Sequence, residues 1–162
     1  MSIVLGCDPG AKGAYCLLIP DQELAWFAPT PGGNTPPGVI LTALQGDGAH
    51  LCDVAYIEDV HSLYGMSAKS NFSFGGNVQA AQTVLEILMH PNESKIRKVQ
   101  PKIWQKAIGV TAKGANIKKQ VAEIAHSLYP YAKIFGPKGG LMDGRADALM
   151  IAHYAYLTLQ EE

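Results

Sequence analysis

Short apolar runs that stop at an acidic or turn-forming residue organise the first third of the chain. Ile3-Val4-Leu5-Gly6-Cys7 has almost no polar side chain and ends on Asp8, the pattern of a strand covered on both faces. Asp8-Pro9-Gly10-Ala11-Lys12-Gly13 then reads as a turn, because proline fixes φ and glycine allows positive φ. Ala14-Tyr15-Cys16-Leu17-Leu18-Ile19 predicts a second strand, the antiparallel partner of the first, and Leu24-Ala25-Trp26-Phe27 a shorter third. Residues 28–50 hold four prolines and five glycines. They predict a loop-rich stretch with one short helix around Gly38–Leu44 and no assigned role. Residues 54–60 form the next strand, whose apolar run Val54-Ala55-Tyr56-Ile57 meets Glu58.

Residues 61–76 mix glycines, hydroxyls and aromatics without a period, so an ordered but irregular loop is expected. Helical spacing begins at Asn77 and runs to Met89, with Val78, Ala81, Leu85 and Leu88 on one face. Ile96–Gln100 is a short strand. Pro101 suits the first turn of a helix that continues to Ile108 and stops at Gly109. Ile117, Val121, Ile124, Ala125 and Leu128 form the stripe of a further helix, ended by Pro130. Lys133–Gly136 predicts a last strand. Asp143 opens a C-terminal helix with Ala146, Leu149, Met150, His153 and Leu157 on overlapping buried faces. An antiparallel meander leading into parallel, helix-covered strands defines one α/β layered domain over residues 1–162.

Composition narrows the class. Apolar residues are 48% and charged residues 17% of the 162, values of an ordinary globular protein rather than a disordered one. No apolar run approaches the ~20 residues that span a bilayer. The N-terminus has no basic segment ahead of its apolar run, so no secretory signal is expected. Cys7, Cys16 and Cys52 are odd in number, form no CxxC and lie in or near apolar runs. They read as buried free thiols of a reducing compartment, not disulfides or a zinc site. The expected location is the cytoplasm.

Charge changes the picture more. Residues 1–94 carry two basic residues against nine acidic ones, whereas residues 95–138 carry ten basic ones against Glu123 alone. A net charge of −1 thus conceals a segment of +9, which suggests a polyanionic partner for one surface. The alternative is a set of solvated helix faces.

Four carboxylates carry the candidate chemistry. Asp8 and Glu58 end apolar strands, and ligands of parallel α/β sheets gather at such carboxyl ends. Asp143 and Asp147 lie one helical turn apart and share a helix face. Four clustered acids repel and raise one another's pKa, and hard divalent cations relieve that repulsion. Two such ions can activate a water and stabilise the leaving oxygen of a phosphoryl displacement. Structural explanations exist for two of the four: Asp8 as a turn former and Asp143 as a helix cap. Asp147 and Glu58 sit in apolar surroundings, where an unpaired carboxylate is costly. Asp59 should face away from Glu58, as a surface residue or a partner contact.

Gly6-Cys7-Asp8-Pro9-Gly10 with Gly13-Ala14, then Ile57-Glu58-Asp59-Val60-His61, then Asp143-Gly144-Arg145-Ala146-Asp147-Ala148-Leu149 resemble, in that order, the RuvC-type Holliday junction resolvases of the RNase H-like superfamily. The phage and chloroplast branch is the closer match, through Glu58–His61, Met66–Gly76 and Asp143–Leu149. The resemblance runs from Leu5 to Tyr156. It implies an RNase H-like fold with a mixed five-stranded sheet flanked by helices. It also implies a homodimer that nicks two symmetric strands of a four-way DNA junction, and a bacterial or phage-encoded protein. The catalytic and metal-binding roles would fall on Asp8, Glu58, Asp143 and Asp147, with two ions of Mg²⁺, or Mn²⁺, per site. The last two acids are four apart here, not three as in bacterial RuvC, which leaves Asp143 the least secure ligand.

Residues for DNA contact follow. Lys69, Asn71, Phe72 and Phe74 belong to the stretch Tyr64–Gly76, where aromatics could stack on splayed bases. The competing reading makes both phenylalanines core residues. Lys102, Lys106, Lys113, Lys118 and Lys119 are candidate phosphate contacts; of the adjacent Lys118 and Lys119, one is expected to face DNA. The helix Asn77–Met89 would form the dimer interface by resemblance, or serve the core only. His61 and His153 read as structural histidines rather than ligands. Three other readings stand beside the resolvase. One is a nuclease for RNA–DNA hybrids or other branched DNA. Another is a catalytically silent junction-binding protein, which gains nothing from four clustered acids. The third, an actin-like ATPase, fits the turn after Asp8 but needs two lobes that 162 residues do not supply.

Overall fold

The computed structural model describes residues 1–60 and 66–162. Strands β1 (Val4–Asp8), β2 (Ala14–Ile19) and β3 (Leu24–Pro29) form the expected antiparallel meander. Helix α1 (Pro37–Gly46) leads into β4 (Val54–Glu58), which lies parallel to β1. Helix α2 (Ala68–Met89) leads into β5 (Ile96–Val99), parallel to β4. Helices α3 (Pro101–Ala107), α4 (Asn116–Leu128) and α5 (Asp143–Gln160) complete the chain. The five-stranded mixed sheet has the order β3-β2-β1-β4-β5.

Both faces of the sheet are covered, which explains why its central strands lack polar residues. Alternation sends Val4, Cys16, Leu18, Val54, Tyr56 and Val99 to one face, under α3, α4 and α5. It sends Leu5, Cys7, Tyr15, Leu17 and Ile57 to the other, against α1 and α2. Helix α5 presses unusually close to β1. A Cβ on Gly6 would lie 2.3 Å from the Ala148 carbonyl oxygen and 2.4 Å from the Ala152 nitrogen. Glycine on the strand, facing alanines on the helix, is what permits that approach.

Two expectations about local structure need correction. Residues 68–76 are helix, not loop: α2 begins at Ala68, where the Ser67 hydroxyl accepts the Ser70 N–H at 3.1 Å. Ala68, Lys69, Ser70, Phe72, Ser73, Gly75 and Gly76 are all exposed. This first part of the helix has no core beneath it, so no apolar period is required of its sequence. The cap and the packed half from Ala81 to Met89 hold it. His61 and Tyr64, assigned above to a structural role and to a base-contacting loop, lie outside the described residues. The second correction is Lys133–Gly136, which adds no strand to the sheet. Phe135 instead bridges Leu141 within a small hairpin, and Pro137 has no N–H with which to extend a ladder.

Residues 28–36, without a role on sequence grounds, brace the turn after β1. Thr30 is buried, and its hydroxyl donates to the Gly10 carbonyl at 2.7 Å. All three cysteines are free and buried. Among the described residues no helix is long and apolar enough to cross a membrane.

Candidate active site

Asp8 is the last residue of β1 and Glu58 the last of β4. The parallel register pairs Gly6 with Tyr56 and Cys7 with Ile57, and its next step sets Asp8 beside Glu58. Side chains alternate along a strand, so both acids share the face of Val4 and Tyr56, under α5. Asp143 and Asp147 occupy the first two turns of that helix. Gly144 makes their approach sterically feasible: a Cβ there would sit 2.1 Å from the Lys12 carbonyl oxygen. The turn itself also demands glycine, because a Cβ on Gly13 would meet the Asp8 carbonyl oxygen at 1.9 Å. Two glycines and a short turn thus dock the start of α5 onto the end of β1.

The four acids share one electrostatic field. Burial, followed by the charges of Asp8, Glu58 and Asp143, pushes Asp147 up to about 8. Burial pushes Glu58 up to about 7, with Asp8 adding to the rise and the Trp104 hydrogen bond opposing it. Asp8 is raised by burial, partly offset by the Gly10 N–H, and is raised further by Asp143. Asp143 behaves in the opposite way. Its carboxylate accepts from Lys118 Nζ at 2.9 Å, and that bond holds its pKa below the ordinary value.

The donor set has the chemistry of a hard-cation site: carboxylate oxygens only, on four half-buried residues, with Asp8, Glu58 and Asp147 all raised in pKa by burial and by neighbouring acids. As placed, no three His, Cys, Asp or Glu side chains among the described residues converge on one ion position. The acids therefore fit a divalent cation by residue type and charge, and closing around one would require their side chains to move.

Sequence reasoning missed two partners. Trp104, fully buried on α3, donates its indole N–H to Glu58 Oε2 at 2.7 Å. A tryptophan in an apolar stripe signals core, and nothing local links it to a residue 46 positions away. Lys118 was assigned to phosphate, yet its ammonium group is engaged by Asp143. Of the other DNA candidates, Lys69, Lys102, Lys106, Lys113 and Lys119 are exposed. Phe72 is 83% exposed and so is not a core residue, whereas Phe74 is half-buried. Asn71 donates to the Met66 carbonyl at 3.3 Å, while its Oδ1 is buried with no partner among the described residues. His153 shares a 2.6 Å hydrogen bond with the Tyr129 hydroxyl, as a structural histidine should.

A mixed five-stranded sheet in the order β3-β2-β1-β4-β5, with acids at the ends of two inner strands and at the start of the last helix, defines the class of fold. Among solved structures the chain is similar to Thermus thermophilus RuvC in complex with a Holliday junction substrate. The TM-score is 0.65 at 15% identity, covering 99% of this chain and 96% of that one. A second Thermus thermophilus RuvC structure matches with a TM-score of 0.53 at 16% identity, covering 96% of each chain. No protein-family model and no curated protein matches the sequence. The fold is therefore that of RuvC, at low sequence identity.

Proposed function

We propose that this protein is a structure-specific endonuclease that resolves four-way DNA junctions by symmetric, divalent-metal-dependent hydrolysis. The observation that carries the reading is the set of acids Asp8, Glu58, Asp147 and Asp143, at the carboxyl ends of β1 and β4 and the start of α5 in a RuvC-like fold. A protein that only bound a polyanion would be weakened by such a set. Asp8, Glu58 and Asp147 would hold Mg²⁺ or Mn²⁺, with Asp143 as a fourth ligand and two ions per site. When bound, the metal would lower the pKa of an attacking water and stabilise the leaving oxygen.

The chain's own residues set the stage for this chemistry. Trp104 holds Glu58 in one orientation, as outer partners of metal ligands commonly do. Thr30 and Gly13 hold the turn that carries Asp8. Lys118 offsets the charge of Asp143 at the rim, where a phosphate would approach. One chain supplies one such site, and a junction with two symmetric cuts asks for two, so the working form is a homodimer. Ile87, an exposed apolar residue in the Asn77–Met89 part of α2, suits that contact. The phage and chloroplast branch remains the proposed subgroup, on the four-residue spacing of Asp143 and Asp147.

The test is Mg²⁺-dependent nicking of a mobile four-way junction, mapped on all strands, beside an RNA–DNA hybrid duplex. Paired symmetric nicks support a resolvase. Hybrid-only cleavage would replace it with a hybrid nuclease, and tight junction binding without cleavage in Mg²⁺ or Mn²⁺ with a silent binder.

A further inference from the structure

We infer that the hairpin Ile134–Met142 and the exposed side of α4 form a platform for an unpaired DNA strand running out from the acid cluster, with Phe135 as its base-stacking surface. The inference rests on the DNA-cleaving reading above. Next to buried Ile134, Phe135 turns outward and is 44% exposed. The hairpin that presents it is well tied. The Met142 N–H donates to the Ile134 carbonyl at 2.8 Å and the Gly136 N–H to the Gly140 carbonyl at 2.7 Å. At its root, Arg145 Nη1 donates to the Lys133 carbonyl at 3.0 Å, and the guanidinium lies over the Phe27 ring. The His126 ring meets Phe135 edge-on, with centroids 5.7 Å apart.

Phe135 and His126 form a ridge between two grooves. One, of about 450 Å³, is lined by Lys118, Lys119, Glu123 and Leu141 together with the ridge. The other, of about 460 Å³, shares the ridge and adds Lys133 and Arg145. Glu123 is the one acid among the lining residues of both. The first groove starts at Lys118, whose ammonium contacts Asp143, so it is continuous with the acid cluster. Cations around an apolar floor and an outward-facing ring suit a single strand. A paired duplex arm hides the faces of its bases and needs only the cations, whereas an unpaired strand offers a phosphate chain and free π-faces together.

The experiment compares the full-length protein on two substrates in EDTA: a fully paired four-way junction and the same junction with a single-stranded thymidine tail at the crossover. Wild type is expected to bind the tailed form more tightly. Phe135→Ala should lower that preference by about tenfold, as loss of one base stack implies, and Phe135→Trp should restore it. Lys133→Gln should reduce the salt slope for the tailed substrate by about 1. Equal affinity of wild type for both substrates, or equal loss on both in Phe135→Ala, overturns the platform. Absence of Mg²⁺-dependent cleavage of either junction by wild type instead overturns the nuclease reading. A melting temperature for Phe135→Ala near that of wild type excludes unfolding as the cause.

Discussion

Asp147 and Asp143 stand one turn apart on the same helix, yet the fold treats them in opposite ways. Asp147 faces the sheet among Asp8 and Glu58, and its pKa is pushed up to about 8. Asp143 sits at the rim beside Lys118, and its pKa is held below the ordinary value. The interior trio is a site short of positive charge, and the rim acid is already neutralised. Burial and the nearest cation decide the state of a carboxylate more than its residue type does. A divalent ion should consequently gain most from the interior trio and least from Asp143.

The largest effect should come from the interior. Asp8→Asn, Glu58→Gln or Asp147→Asn should each remove junction cleavage, by more than about 10²-fold, beyond what loss of an outer partner usually costs. Gel-shift affinity for the junction should survive. Retained cutting by any of the three would break the assignment. Trp104→Phe keeps an aromatic side chain, though a smaller one, and removes the donor to Glu58. Apparent Mg²⁺ affinity, titrated through the nicking rate, should fall about 10- to 100-fold, with recovery at higher metal concentration. Asp143→Asn should cost less than any interior acid, about tenfold or below, since Lys118 already offsets its charge. A loss as deep as that of Asp147→Asn would erase the distinction between rim and interior.

The smallest effect, and the most diagnostic of charge, is on stability. The folded values of Glu58 and Asp147, about 7 and about 8, exceed their ordinary values of 4.5 and 3.8. Between those limits the folded state binds more protons than the unfolded state, so these groups make stability fall as pH rises. In EDTA the melting temperature should decline between about pH 4 and 8 through these two groups and level off above. Asp147→Asn should make the decline shallower, and Mg²⁺ should oppose it. An unchanged slope in Asp147→Asn would show that the interior acid is not paying this electrostatic cost.

Much of the candidate site was legible because its signals are local. Apolar runs ending on Asp8 and Glu58 revealed strand ends, and Asp143 was visible as the opening of an apolar helix. The outer half of α2 was not legible, since it has no fully buried residue before Ala81 and so carries no apolar period. Nor was the hairpin of Phe135, whose two sides meet through a single bridge and a few backbone bonds rather than through an alternating pattern.

By itself, the sequence determined the positions of β1 to β5, though it added a false sixth at Lys133–Gly136, and it showed that both faces of the sheet are covered and singled out the four candidate acids, because burial imprints a period or an uninterrupted apolar run on neighbouring residues. Only the tertiary structure decided which acid is neutralised by Lys118, which is held by Trp104, and how closely α5 may lie on β1. Those outcomes depend on pairs 25 and 46 residues apart and on two glycines whose missing Cβ atoms matter only once another backbone arrives beside them. Nothing in the local pattern records such meetings, since they exist only after the chain has packed.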